Sequence, residues 1–344
     1  MKKPDVKRTS METIRRPVVV PQTYKMSVGM RLGPPTLRIR NLQQALSFYQ
    51  NDIGLGAIGN HSDPQDGLDI VELGFPDSKE PLLVLKHHPD AKPTGHDCAG
   101  LYHYAILVPD RKSLSSTYLA IGNTGLVYEG FADHTVSESL YLHDNEQNGI
   151  EIYADRPRNT WAPFMELMKK GGSSDMRNFV SLNKALNIDF LLRELSRDER
   201  NNPTAFPAGA RIGHIHLRVT NLQRSVRFYH EKLGLDIIGN LPELGAAFLS
   251  VGGYHHHIGM NTWHSEDGKP HERGEAGLEN FVINLPDQAS IDALAQHLRS
   301  SVTARDDDHL TILDPDGIEI IVRVGRDNFA IRKIYTPRVG EDGL

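Results

Sequence analysis

The stretch LRIRNLQQALSFYQNDIGLGAIGN, residues 37–60, recurs without a gap as LRVTNLQRSVRFYHEKLGLDIIGN at residues 217–240, and half of the positions are identical. A match of that length within one chain marks a duplication. Each copy reads as strand, helix, strand. Ile212 to Val219 alternates and is rich in β-branched and aliphatic residues, which predicts a strand. Asn221 fits a helix N-cap. Leu222, Val226 and Tyr229 follow at helical spacing with Phe228 beside them. Gly234 stops the helix, and Ile237-Ile238 opens the next strand.

Two more strands follow in each copy: Ile70 to Leu73 and Leu82 to Leu85 in the first, Ala246 to Val251 and His255 to Asn261 in the second. The unit is therefore βαβββ. A more diverged pair comes after. GLYHYAILVPD at 100–110 matches GLENFVINLPD at 277–287, each leading to a helix (Lys112 to Gly122; Ala289 to Ser300) and a closing strand with Gly149-Ile150-Glu151 or Gly317-Ile318-Glu319. The fold expected is α+β, with four βαβββ units forming two half-open β-barrel modules. Module one spans 30–156 (units 30–90 and 100–156) and module two 210–326 (units 210–263 and 277–326). A tail covers 1–29, a structured linker 157–209, and a second tail 327–344. In the linker, Trp161 to Lys170 and Leu182 to Leu195 read as helical, while Gly171 to Ser174 and Asn201-Asn202-Pro203 read as breaks.

A chain of 344 residues holds two domains of ordinary size. Hydrophobic residues make up 39% and charged residues 24%, an ordinary globular balance. The net charge is −6 with the signs interspersed, so no basic footprint for nucleic acid is present. Apolar runs are too short to span a membrane. The first residues are basic (Lys2, Lys3, Lys7, Arg8, Arg15, Arg16), and Val18 to Val20 is too short for a signal-peptide core. Cys98 is the sole cysteine, which excludes an internal disulfide and fits a reducing, cytoplasmic home. With 17 histidines, a metal site would use imidazole and carboxylate ligands.

Paired units with these opening and closing strands resemble the vicinal-oxygen-chelate superfamily, which holds glyoxalases, fosfomycin-resistance and bleomycin-binding proteins and extradiol dioxygenases. The resemblance covers both modules. More narrowly, Gly100 to Ala105, Asp133 to Tyr141, Asn148 to Pro157, Gly213 to His216 and Gly253 to His257 together resemble two-module bacterial catechol-2,3-dioxygenases. The family implies a metal held from the first, fifth and eighth strands of a half-open barrel, with a fourth-strand residue added in glyoxalases.

Carried over by position, the first strand of module two offers His214 where module one has Pro34. The fifth strand of module one offers His103 where module two has Asn280. The eighth strands offer Glu151 and Glu319, and the fourth strand of module two offers His255 and His257 on one face. Each module alone is incomplete, and the two losses are complementary. Pairing the second unit with the third, as glyoxalases of this superfamily swap theirs, brings together His103, Glu151 and His214 as metal ligands, with His257 as a further catalytic candidate nearby. Units one and four then hold no metal. A site within module two, made of His214, His257 and Glu319, is the other reading. His216 reads as a support for His214.

Two histidines and one carboxylate on one face leave open positions for a diol and dioxygen, the pattern of non-haem Fe(II) oxygenases. The extradiol signature reads His134, Leu140-Tyr141, Asp144, Gly149, Glu151. It departs at Asn145, where proline is usual, and in a longer loop to Asn148. Under the resemblance His134 is the acid–base residue and Tyr141 its hydrogen-bonding partner. The expected activity is extradiol cleavage of a small aromatic diol by O2 with Fe(II), in a chain that satisfies the pairing alone or as a homodimer. The alternatives are a glyoxalase-like lyase or thiol transferase using Zn(II), Ni(II) or Mn(II), and a non-catalytic binding protein like those of bleomycin resistance.

Overall fold

The structure, a computed structural model, describes residues 24–325 apart from 65, 76, 77, 79, 96, 171–181, 273 and 306–308. The basic segment at the start, the Gly171 to Ser174 break and the C-terminal tail lie outside the described residues.

Each unit folds as strand, helix and three strands. Unit one is β1 (Arg31–Ile39), α1 (Leu42–Ser47), β2 (Gly56–Ser62), β3 (Asp69–Gly74) and β4 (Leu83–His87). Unit two is β5 (Gly100–Val108), α2 (Arg111–Gly122), β6 (Gly130–Asp133), β7 (Ser137–His143) and β8 (Gly149–Asp155). The linker holds α3 (Ala162–Lys169), a short strand β9 (Lys184–Ala185), α4 (Ile188–Leu192) and α5 (Arg197–Asn201). Unit three is β10 (Arg211–Arg218), α6 (Leu222–Arg227), β11 (Asp236–Leu241), β12 (Ala246–Ser250) and β13 (Ile258–Asn261). Unit four is β14 (Gly277–Leu285), α7 (Gln288–Leu298), β15 (Val302–Arg305), β16 (His309–Leu313) and β17 (Glu319–Val324).

One device starts all four unit helices. Asn41, Asp110, Asn221 and Asp287 each accept a hydrogen bond from the backbone N–H three residues on. In units one and three the helix then widens into a π turn, Phe48–Asp52 and Phe228–Lys232, which buries Tyr49 and Tyr229 completely. Gly234 follows at φ 77°, a left-handed exit that a side chain would strain.

Among the described residues the strands form two sheets, and neither closes into a barrel. One runs β15-β16-β17-β14-β1-β4-β3-β2, the other β11-β12-β13-β10-β5-β8-β7-β6-β9. Each sheet therefore joins one unit from each repeat: one with four, two with three. The seams are the antiparallel pairs β1–β14 and β10–β5. The two units of each module meet instead through a buried phenol. Tyr49 Oη donates to Asp144 Oδ2 at 2.7 Å, and Tyr229 Oη to Asp314 Oδ2 at 3.1 Å. A continuous apolar core, with Leu37, Leu85, Ile215, Leu217 and Phe281 among its members, ties the sheets together.

Three expectations need correction. The helix expected over Leu182 to Leu195 is confined to Ile188–Leu192, because Lys184 and Ala185 pair along the β6 edge. The helix from Leu222 is α-helical only to Arg227. The strand expected from His255 starts at Ile258, because two left-handed glycines, Gly252 (φ 60°) and Gly253 (φ 67°), turn the chain just before the histidine triplet.

Candidate metal centre

The seam of the second sheet brings three side chains to one point. Strands β10, β5 and β8 lie side by side, with His214, Ala105 and Glu151 opposite one another in register. His103 stands two residues from Ala105 and so shares its face. The intervening Ile215 and Leu217 point the other way, into the core. Glu151 Oε2 lies 3.0 Å from His103 Nε2 and 3.0 Å from His214 Nε2, and the two ring nitrogens are 3.2 Å apart. All three residues are nearly closed to solvent, at 7%, 3% and 1% exposure for His103, Glu151 and His214.

Electrostatics suit a cation here. Burial, outweighing the pull of Glu151, lowers the pKa of both imidazoles and so favours the neutral ring. Burial alone would raise the Glu151 carboxyl, but the charge of His214 and hydrogen bonds from both histidines hold it well below the usual carboxylate range. Ser139 Oγ donates to its other oxygen, Oε1, at 2.6 Å and fixes its rotation. Three donors about 3 Å apart match neighbouring ligands around a first-row ion with bonds of roughly 2.1 Å. Among the described residues, these three are the group that could hold a metal.

Polar side chains flank the cluster on both sides. Tyr141 pairs with Glu151 across β7 and β8, and its ring centroid is 5.9 Å from that of His103. Its hydroxyl lies 2.7 Å from His134 Nε2, in the turn between β6 and β7. On the opposite flank His256, half-buried, packs against His214 with ring centroids 4.1 Å apart. His257 faces elsewhere. Its Nδ1 is 2.7 Å from Ser250 Oγ, and its ring packs on Tyr254. The expectation that His257 lies near the metal, with His255 on the same strand face, assumed strand alternation through the triplet. The strand begins later, and His256 is the member beside the cluster. His255 reaches Asp155 with Nε2 at 2.9 Å. His216 accepts from Asn261 Nδ2 at 3.1 Å and lies edge-on to His103, at 4.9 Å between centroids. In the other sheet Thr36 pairs with Asn280, and Asn280 with Glu319. Pro34 stands near them without a ligand atom, so that seam gathers no comparable set.

A shared sheet built from two repeats, with a two-histidine, one-carboxylate cluster at the seam, defines the metal-binding class of the paired βαβββ fold. The chain belongs to the vicinal-oxygen-chelate superfamily. The family described as Glyoxalase/Bleomycin resistance protein/Dioxygenase superfamily matches residues 211–322. A catechol-2,3-dioxygenase of Bacillus subtilis is 39% identical over 269 residues, covering 78% of this chain and 87% of the relative. Among solved structures, a putative dioxygenase from Bacillus subtilis superposes with a TM-score of 0.59 at 14% identity, covering 90% and 88% of the two chains. Glyoxalase I from Zea mays superposes at 0.50 with 16% identity, covering 86% and 92%.

Proposed function

We propose that the protein is an Fe(II)-dependent extradiol dioxygenase that opens the ring of a small aromatic vicinal diol. The convergence of His103, Glu151 and His214 at 3.0–3.2 Å carries the reading. Held by these residues, Fe(II) would supply open positions for the diol and dioxygen and the electron density that activates dioxygen. The protein's own groups do the rest. Tyr141 presents a phenol O–H beside the cluster and can donate to an anionic oxygen of the bound diol. His134 backs that phenol and can return or remove its proton, acting as the acid–base partner. His256 presents a neutral ring on the other flank, placed to hydrogen-bond the bound diol. The near-closed surroundings keep bulk water from the reacting atoms. The 39% identity to a catechol-2,3-dioxygenase supports this choice over a lyase.

The test is anaerobic purification, iron loading and addition of catechol with oxygen. A yellow ring-opened product is expected. A panel of catechols that all stay intact with iron bound would overturn the proposal.

A further inference from the structure

The segment joining the repeats also reaches the site. Residues 182–185 run along the free edge of β6, with Ala132 opposite Ala185 and Asp133 opposite Lys184. That edge leads directly into the His134 turn. Leu182 O accepts from Thr135 Oγ1 at 2.9 Å, and Asn183 Oδ1 lies 2.5 Å from His134 Nδ1.

The turn is strained and held from several sides. Thr135 has φ 70°, a region that β-branched residues rarely enter. Asp133 Oδ1 accepts from the Thr135 N–H at 2.9 Å, and the Arg156 guanidinium grips Asp133 at 3.1 and 2.7 Å. Arg156 also reaches Glu138 at 2.9 Å, which Arg111 holds at 2.6 Å. Arg111 in turn contacts the linker, pairing with Glu194 and lying over the Phe190 ring at 4.6 Å. Simple closure of a hairpin needs none of this strain. What the arrangement fixes is the His134 ring, between Asn183 and Tyr141.

In the metal-free, substrate-free protein the Tyr141 O–H lies 2.7 Å from His134 Nε2 and can donate to it. A neutral imidazole that accepts at Nε2 carries its proton on Nδ1, and that N–H needs an acceptor. Asn183 Oδ1 provides one. We propose that Asn183, delivered by the linker, is a positioning residue that selects the Nδ1–H tautomer of His134 and sets the angle of its ring toward Tyr141. The role rests on His134 being the acid–base group.

The test compares Asn183→Ala with Asn183→Asp in the full chain. Nitrogen-15 spectra of the metal-free protein read the tautomer directly, with the His134 signals assigned by their loss in His134→Gln. Wild type and Asn183→Asp should show Nδ1–H, and Asn183→Ala should shift toward Nε2–H. With iron and catechol, Asn183→Ala should keep wild-type iron content and KM while kcat falls roughly 10- to 100-fold. Asn183→Asp, which retains the acceptor, should recover most of the loss. An unchanged tautomer in Asn183→Ala overturns the proposal, as does a kcat loss that aspartate does not relieve. Should wild type turn over no catechol, the dioxygenase reading fails. The spectra then decide the positioning role by themselves.

Discussion

At the scale of single residues, the proposed centre divides groups that would bind the metal from groups that would support them. Glu151→Gln keeps the shape but removes the charge, so metal content measured after dialysis should fall by at least about tenfold. Glu319→Ala, in the other sheet, should leave metal content unchanged. Loss of metal in Glu319→Ala with retention in Glu151→Gln would sink the cross-repeat site. His257 gives a different signature. Burial, reinforced by the charges of His255 and His214, pushes its pKa down to about 3. In the unfolded chain it titrates near 6.5, so between those values the unfolded state binds the extra proton. Its contribution to stability is full above about pH 6.5 and is lost as pH falls, by up to about 1.4 kcal/mol per unit. Metal-free His257→Gln should therefore melt with a shallower dependence between pH 7 and 5 than wild type; an equal slope would count against it. His103, Glu151, His214, His134 and Tyr141 were legible through the family resemblance carried over by position, and the structure gathers them at one seam. His256 was not legible, because a left-handed turn reset the alternation. Asn183 gave no local signal at all. Its contact depends on which edge the linker follows.

At the scale of elements, β10 carries His214 only because a glycine precedes it. A Cβ on Gly213 would lie 1.9 Å from Tyr153 Oη, which is itself 2.8 Å from Tyr254 Oη. The Tyr153 ring packs on His214 at 4.8 Å between centroids. Gly213→Ala must push the tyrosine or the strand aside. It should cost about 1–3 kcal/mol by chemical denaturation and weaken metal binding. Adding Tyr153→Phe should return part of the stability, and a double mutant no better than the single would refute the steric account. The strands and unit helices were readable because alternation and N-caps repeat four times. The linker was readable only in part: helical pattern ran through Lys184 and Ala185, yet tertiary pairing with an open strand edge overrode it.

At the scale of the molecule, the two sheets share an architecture and divide the work. The seam of units one and four is held by charge. Arg38 pairs with Glu279 at 2.9 Å, and Lys86 pairs with Glu279 at 3.1 Å and with Asp63 at 2.6 Å, largely out of solvent. Glu279→Ala leaves two cations facing each other in place of a bridge. It should lower unfolding stability by about 1–3 kcal/mol without changing metal content. A variant that loses metal in proportion to stability would show that the sheets do not act separately. The swapped pairing was legible from two complementary defects, Pro34 set against His214 and Asn280 against His103, read with the unit swap of the superfamily's glyoxalases. The Tyr49–Asp144 and Tyr229–Asp314 links were not, since both phenols read as plain core residues.

The crossing of repeats also bears on how the gene can change. The matching stretches at 37–60 and 217–240 are natural points for unequal recombination. A crossover there would excise His103, Glu151 and His214 together and fuse the start of unit one to the end of module two. The product would keep β1 and β14, Pro34 and Asn280 included, but would lose Lys86 and Asp63 and all three candidate ligands. If the proposed site is right, the duplication cannot be undone by such a deletion without removing the centre.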